Sequence, residues 1–296
     1  MHFYRATLRY LENANSIATR VECAPMTARY AVIGNPIHHS KSPHIHAQFA
    51  RETGQEISYE AILAPLDGFG PCVAQFRQSG GQGANITVPF KEQAYALCTQ
   101  RSARAELAGA VNTIKFDAHA IWGDNTDGAG LVADLTRNLG VTLAGTRILL
   151  LGAGGAARGV IGPLLDSVPA QLVIANRTAG RARALAAHFS QHTQHAVTGC
   201  GLDQLTSGFD LIINATSASL AGELPALPPT TFTPDVLAYD MMYGQTLTPF
   251  LQLAQRQGSR ISDGLGMLVE QAAESFYLWR GVRPDTQAVI AGLRAA

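Results

Sequence analysis

Gly152, Gly154 and Ala157 carry the clearest chemical signature in the chain. They form a G-x-G-x-x-A pattern in GAGGAARG (152–159), directly after the apolar run Ile148-Leu149-Leu150-Leu151. A glycine at 152 permits a tight turn out of a strand, and one at 154 lets backbone approach a pyrophosphate. The helix that follows offers free N–H groups and the positive end of its dipole to the phosphates. Gly152, Ala153, Gly154, Gly155 and Ala156 are therefore candidate contacts to a dinucleotide. The plain alternative is an ordinary glycine-rich turn. The next apolar strand ends at Asn176-Arg177-Thr178, with Arg181 one turn later. An NAD site places a carboxylate here for the ribose 2′-hydroxyl. Two arginines and two small polar groups instead suit a 2′-phosphate, so the reading is NADP. Solvated surface arginines are the alternative.

A second stretch, GNPIHHSKSPHIH (34–46), holds four of the nine histidines. His44 and His46 are two apart on a predicted helix and so point to different faces. No Cys or Glu stands at ligand spacing nearby, and no H-E-x-x-H occurs. His188 and His192 are four apart but lack a third ligand. No metal site is expected, and partly exposed, hydrogen-bonding histidines are the better reading. Ser40 and Ser42 fall in a loop where a helix begins. Two hydroxyls with helix N–H groups make an anion site suited to a carboxylate. Simple N-capping by Ser42 is the alternative, and both can hold.

The elements that must position these residues follow from pattern and punctuation. Strands are predicted near 29–34, 57–64 and 83–88, with helices over 43–54, 66–78 and from about Lys91. Segments 113–116 and 120–123 read as a hairpin. Residues 127–139 read as one helix, with Leu131, Leu135 and Leu139 on one face. Strands at 148–151, 172–176, 211–214 and 236–240 alternate with helices opening at 152–159 and over 178–188, 249–257 and 266–279. Gly162-Pro163 predicts a kink or an early end in the first of these. The alternation predicts an α/β protein with two open-sheet domains, the second a Rossmann-type dinucleotide-binding domain, and a cleft between them. The expected division is 26–127, completed by 264–296, for substrate and 128–263 for the dinucleotide.

Composition excludes several classes. Apolar residues make up 47% of 296 and charged residues 15%, enough for substantial cores. The 22 basic and 22 acidic residues cancel, so neither nucleic acid nor an anionic membrane is an expected partner. Four scattered cysteines without C-x-x-C fit a reduced, cytoplasmic setting. Residues 1–25 lack the apolar core of a secretory signal and read as an extension outside the fold. A monomer or a homodimer is expected.

Taken in order, GNPIHHSKSPHIH, ANITVPFK (84–91), AGAVNTI (108–114), GDNTDGAG (123–130), GAGGAARG, NRT (176–178), YDMMYG (239–244) and DGLGMLVEQAA (263–273) resemble shikimate dehydrogenases of the NADP-dependent biosynthetic type. The likeness runs from about Tyr30 to near the C-terminus. It implies reversible reduction of 3-dehydroshikimate to shikimate. It also implies that Ser40, Ser42 and Tyr243 bind the substrate carboxylate, and that Thr87, Asn112, Asp127 and Gln271 hold ring hydroxyls. Lys91 and Asp127 would be the catalytic pair, and Met241, Gly264 and Met267 would line the nicotinamide end. Physical chemistry favours the pair independently, because an oxyanion formed on a ketone needs a proton and a nearby cation, and lysine supplies both. A surface lysine and a helix N-cap are the plain alternatives for the two residues. An NAD-using quinate/shikimate dehydrogenase would be expected to carry an acid near 176, and none is there. A non-catalytic relative sensing shikimate or nucleotide would be expected to lack the lysine or the aspartate. Ala218-Ser219-Leu220 departs from the family pattern, and an altered loop is expected there.

Overall fold

The computed structural model describes residues 27–216, 224 and 226–295. The N-terminal extension and the loop at 218–220 lie outside the described residues. Two six-stranded sheets organise the rest. The first contains β1 (Ala28–Gly34), β2 (Ile57–Leu63), β3 (Gly81–Ile86), β4 (Gln100–Arg101), β5 (Thr113–Phe116) and β6 (Ile121–Asp124), in the order β2-β1-β3-β5-β6-β4. Its first three strands are parallel, and the β5–β6 hairpin runs with β5 antiparallel to β3. Helices α1 (Ser42–Thr53), α2 (Phe69–Gln78), α3 (Lys91–Leu97) and α4 (Ala103–Ala108) connect them.

The second sheet is parallel throughout: β7 (Arg147–Leu151), β8 (Gln171–Asn176), β9 (Val197–Gly201), β10 (Leu211–Asn214), β11 (Leu237–Asp240) and β12 (Arg260–Asp263), in the order β12-β11-β10-β7-β8-β9. Strand β7 shows why its sequence is an unbroken apolar run. Ile148 and Leu150 enter the core beneath α5 (Asp127–Ala133), α6 (Gly155–Asp166) and α7 (Ala179–Ser190). Leu149 and Leu151 enter the opposite core with Phe250 of α8 (Pro249–Arg256). A strand covered on both faces has no polar face to show. Helix α9 (Leu265–Arg280) then returns to the first sheet and packs with α10 (Thr286–Ala295) on Ile45 and Phe49 of α1.

Several expectations need correction. The predicted helix over 127–139 is α-helical only to Ala133 and continues as a π-turn over Asp134–Asn138. The buried Asp134 carboxylate accepts hydrogen bonds from Tyr239 Oη (2.6 Å) and Asn138 Nδ2 (2.8 Å). A side chain at Gly266 would collide with it. Helix α6 runs through Gly162-Pro163 to Asp166 without an early end. Proline removes the donor that would serve the Gly159 carbonyl. Gly128, with no side chain, lies against that carbonyl and Pro163. Ser42 is the first helical residue and does not cap; its N–H donates to Ser40 Oγ (3.3 Å). Helix α2 starts at Phe69, after a turn closed from Gly68 N to Pro65 O. β4, α4, β9, β12 and α10 were not anticipated.

His46 is not the partly exposed, hydrogen-bonding residue expected. It is buried, stacks on Tyr59 with ring centroids 4.1 Å apart, and neither ring nitrogen has a hydrogen-bond partner among the described residues. Burial pushes its imidazole down to about 3, only partly offset by the nearby Asn85 amide. An unfolded chain titrates this group near 6.5. The unfolded state therefore binds a proton that the folded state refuses between those values. Stability from this group is complete above about pH 6.5 and is lost as pH falls toward 3. We expect the free energy of urea unfolding to decline on acidification from pH 6.5 to 5. His46→Phe should flatten that decline by about 1 kcal/mol per pH unit. Equal slopes in the two proteins would mean that the folded imidazole is not held neutral.

Candidate active site

A cavity of about 350 Å³ lies between the two sheets, within the size range of small-ligand sites. Ser40, Ser42, Thr87, Lys91, Asn112, Asp127, Tyr243 and Gln271 all line it, as do Ala156, Met241, Gly264 and Met267. These residues arrive from the segment after β3, the start of α1, α3, the approach to β5, α5, α6, α9 and the segment after β11, so the topology converges separate chain regions on one space.

Lys91 and Asp127 form an ion pair through Nζ and Oδ2, with side chains 15% and 7% exposed. Among the described residues they are the only Lys, Arg, Asp or Glu in the cavity lining. Lys91 opens α3, where its charge opposes the helix dipole; the aspartate across the cavity offsets that misfit. Asp127 is the first residue of α5 and its carboxylate caps nothing. Its second oxygen, Oδ1, accepts from Asn112 Nδ2 at 2.7 Å. Asn112 Oδ1 in turn accepts from the Thr126 N–H at 2.8 Å, which fixes which way the amide faces. Gln271 on α9 stands at 3.4 Å from Asn112 Nδ2. Behind this group, Arg104 grips the buried Asp124 with two hydrogen bonds of 2.7 and 2.6 Å.

At the other end, Ser40 and Ser42 sit where α1 begins. Tyr243 lies beside them; burial raises its phenol, and the Lys41 backbone N–H partly counters this. Below them, Tyr59 Oη donates to Asn85 Oδ1 at 2.7 Å, and burial raises the Tyr59 phenol well above its ordinary value. Asn85 lines the cavity and its Nδ2 reaches Ser275 Oγ at 2.9 Å. Sequence reasoning missed Asn85; the available signal was an amide set between the apolar Ala84 and Ile86 of β3. His39 and Met242 also line the cavity and were not singled out.

The dinucleotide loop lies beside this cavity. Gly152 has φ +113°, and a Cβ there would meet Ala215 O at 3.1 Å, so glycine is required. Gly154 precedes the first turn of α6, and a Cβ built on it meets nothing within 4 Å. That leaves open backbone and helix N–H groups where a pyrophosphate could lie, so the residues fit a dinucleotide. Asn176, Arg177, Thr178 and Arg181 cluster at the end of β8. Both arginines are exposed, and neither joins an ion pair among the described residues. No group of three or more His, Cys, Asp or Glu side chains could hold a metal among the described residues. No helix among them is long and apolar enough to cross a membrane.

Comparison with known proteins agrees with this architecture. Residues 32–114 match the shikimate dehydrogenase substrate binding domain, 134–221 match shikimate / quinate 5-dehydrogenase, and 264–294 match the shikimate 5′-dehydrogenase C-terminal domain. The shikimate dehydrogenase (NADP(+)) of Dechloromonas aromatica is 61% identical over 273 residues, covering 91% of this chain and 98% of that protein. Among solved structures, an Ael1 enzyme from Pseudomonas putida is 51% identical with a TM-score of 0.83, over 90% of this chain and 98% of that one. The shikimate 5-dehydrogenase of Thermus thermophilus, solved with NADP(H) and shikimate, is 33% identical with a TM-score of 0.80, over 90% and 99%. On identity sustained along nearly the whole length of such relatives, the chain belongs to the shikimate dehydrogenase family.

Proposed function

We propose that this chain catalyses the reversible NADPH-dependent reduction of 3-dehydroshikimate to shikimate, a step in aromatic amino acid biosynthesis. The observation that carries the reading is the Lys91–Asp127 pair, the only Lys, Arg, Asp or Glu side chains among the described residues of the cavity lining, flanked by the dinucleotide loop. The substrate is a small polyol acid. A site for it needs many hydrogen-bonding groups and few charges.

NADPH, when bound, supplies the hydride. The chain's residues do the rest. Lys91 gives a proton to the carbonyl oxygen as it becomes a hydroxyl and takes it back in the reverse direction. Asp127 holds the ammonium in line and accepts from a substrate hydroxyl. Thr87, Asn112 and Gln271 hold the remaining ring hydroxyls. Ser40, Ser42 and Tyr243 receive the carboxylate at the start of α1, where the helix dipole assists. Gly152, Ala153, Gly154, Gly155 and Ala156 face the pyrophosphate. Asn176, Arg177, Thr178 and Arg181 receive the 2′-phosphate, and Met241, Gly264 and Met267 line the nicotinamide end. Residues 26–127 with 264–296 would form the substrate half and 128–263 the dinucleotide half. Cys72, Cys98 and Cys200 are free thiols, in keeping with a cytoplasmic enzyme. It would work as a monomer or a homodimer.

The direct test is NADPH formation from shikimate by purified protein, run beside NAD+ and beside quinate. Turnover confined to shikimate with NADP+ is expected; equal turnover with NAD+ or quinate would move the chain to the broader-specificity relatives. Lys91→Ala should lower kcat by about two orders of magnitude with a modest change in KM, as loss of an acid–base group does. Undiminished turnover would remove Lys91 from the chemistry. Arg177→Ala should raise KM for NADP+ and leave that for NAD+ unchanged, whereas equal weakening of both would discard the 2′-phosphate contact.

A further inference from the structure

Helix α6 carries the dinucleotide loop at its N-terminus, and one face of it packs on Lys91, Asn125 and Gly128. Gly155, Gly159 and Pro163 recur every four residues and so share that face. A Cβ at Gly155 would sit 3.7 Å from Lys91 Cβ. A Cβ at Gly159 would lie 2.8 Å from Asn125 Oδ1 and 3.0 Å from Asn125 Nδ2. Gly128 stands against the Gly159 carbonyl and Pro163. The cofactor helix thus touches the chain on both sides of Asp127.

Asn125 is buried, and both ends of its amide are engaged. Its Oδ1 accepts the Asp127 backbone N–H at 3.2 Å, and its Nδ2 donates to Ala110 O at 2.9 Å. Asn125 lines neither the cavity nor the loop, yet it fixes the backbone of Asp127 on one side and meets α6 on the other. We propose that Asn125 and Gly159 are positioning residues that set the distance and angle between the cofactor helix and the Lys91–Asp127 pair, and so between the hydride and proton transfers. The inference rests on the reaction assigned above. It explains why glycine stands in mid-helix at 159, where alanine has the higher helix propensity.

A pair that registers two half-sites affects turnover without weakening either ligand. In Gly159→Ala, the dissociation constants for NADP+ and for shikimate, each measured alone by calorimetry, should stay within about twofold. We expect kcat to fall about tenfold or more, since sub-ångström misplacement of reacting groups is costly. The primary isotope effect with shikimate deuterated at the oxidised carbinol carbon should rise. Asn125→Ser keeps a shorter acceptor for the Asp127 N–H and makes room for a methyl group, so adding it to Gly159→Ala should restore part of kcat. Unchanged kcat, or a loss confined to the affinity of one ligand, would overturn the proposal. Where Gly159→Ala alone does not fold, Asn125→Ser carries the test: lowered kcat with both dissociation constants kept is expected, and normal kcat overturns it. An unmodified protein that oxidises no shikimate would refute the reaction itself. The contact would then be read by a thermal-stability cycle of the two substitutions, in which additive effects count against it.

Discussion

A buried carboxylate is costly unless each oxygen has a partner, and Asp127 answers that constraint on both sides. Oδ2 pairs with Lys91 and Oδ1 accepts from Asn112. Asn112 and the Asp127 backbone are themselves held. Asn112 is locked by the Thr126 N–H, and the Asp127 N–H is taken by Asn125. Asp124, one residue before Asn125, accepts the Asn125 N–H at 2.7 Å and is itself clamped by Arg104. Each bond is modest alone, about 0.5–1.5 kcal/mol when both groups are neutral. Their combined effect is directional, because a network satisfied at every member leaves one geometry for the Lys91–Asp127 pair.

That constraint dictates what the fold must deliver. Lys91, Asn112, Asp127 and Gln271 come from α3, the approach to β5, the start of α5 and the middle of α9. The β5–β6 hairpin pairs Thr113 with Asp124 and so brings Asn112 level with the segment leading to Asp127. Helix α9 closes the site because its apolar face is buried against α1 and α10 on one side and its Met267 enters the core of the second sheet. One helix therefore carries both the amide at 271 in the cavity lining and a residue that joins the core of the second sheet.

Much of this was legible in the sequence because the relevant signals are local. The glycine pattern after an unbroken apolar strand, the missing acid at 176 and the serines where a helix begins are each read within about ten residues. What stayed hidden is nonlocal or breaks periodicity. The π-turn at Asp134 was invisible because Leu131 before it and Leu135 within it keep helical spacing. β12 has no apolar run, since Arg260 is exposed and the strand pairs on one side alone. His46 reads as a surface histidine, yet only the packing of Tyr59, Phe49 and Trp279 around it makes it an aromatic core residue. The tolerance of Pro163 in α6 depends on Gly128, thirty-five positions earlier.

The sparseness of charge in the cavity bears on how the proposed reaction can run both ways. 3-Dehydroshikimate and shikimate share a carboxylate and two ring hydroxyls and differ only at the reacting carbon. Contacts to the shared groups orient both alike and so favour neither side of the equilibrium. An arginine clamp on the carboxylate would deepen both bound states together and slow release of either. The three hydroxyls and the helix start proposed for the carboxylate would hold the same group more lightly. Lys91 and Asp127 are the only Lys, Arg, Asp or Glu side chains among the described residues of the lining, and in the proposed reaction they stand at the one place where substrate and product differ. There a cation and a proton act on charge that exists mainly in the transition state.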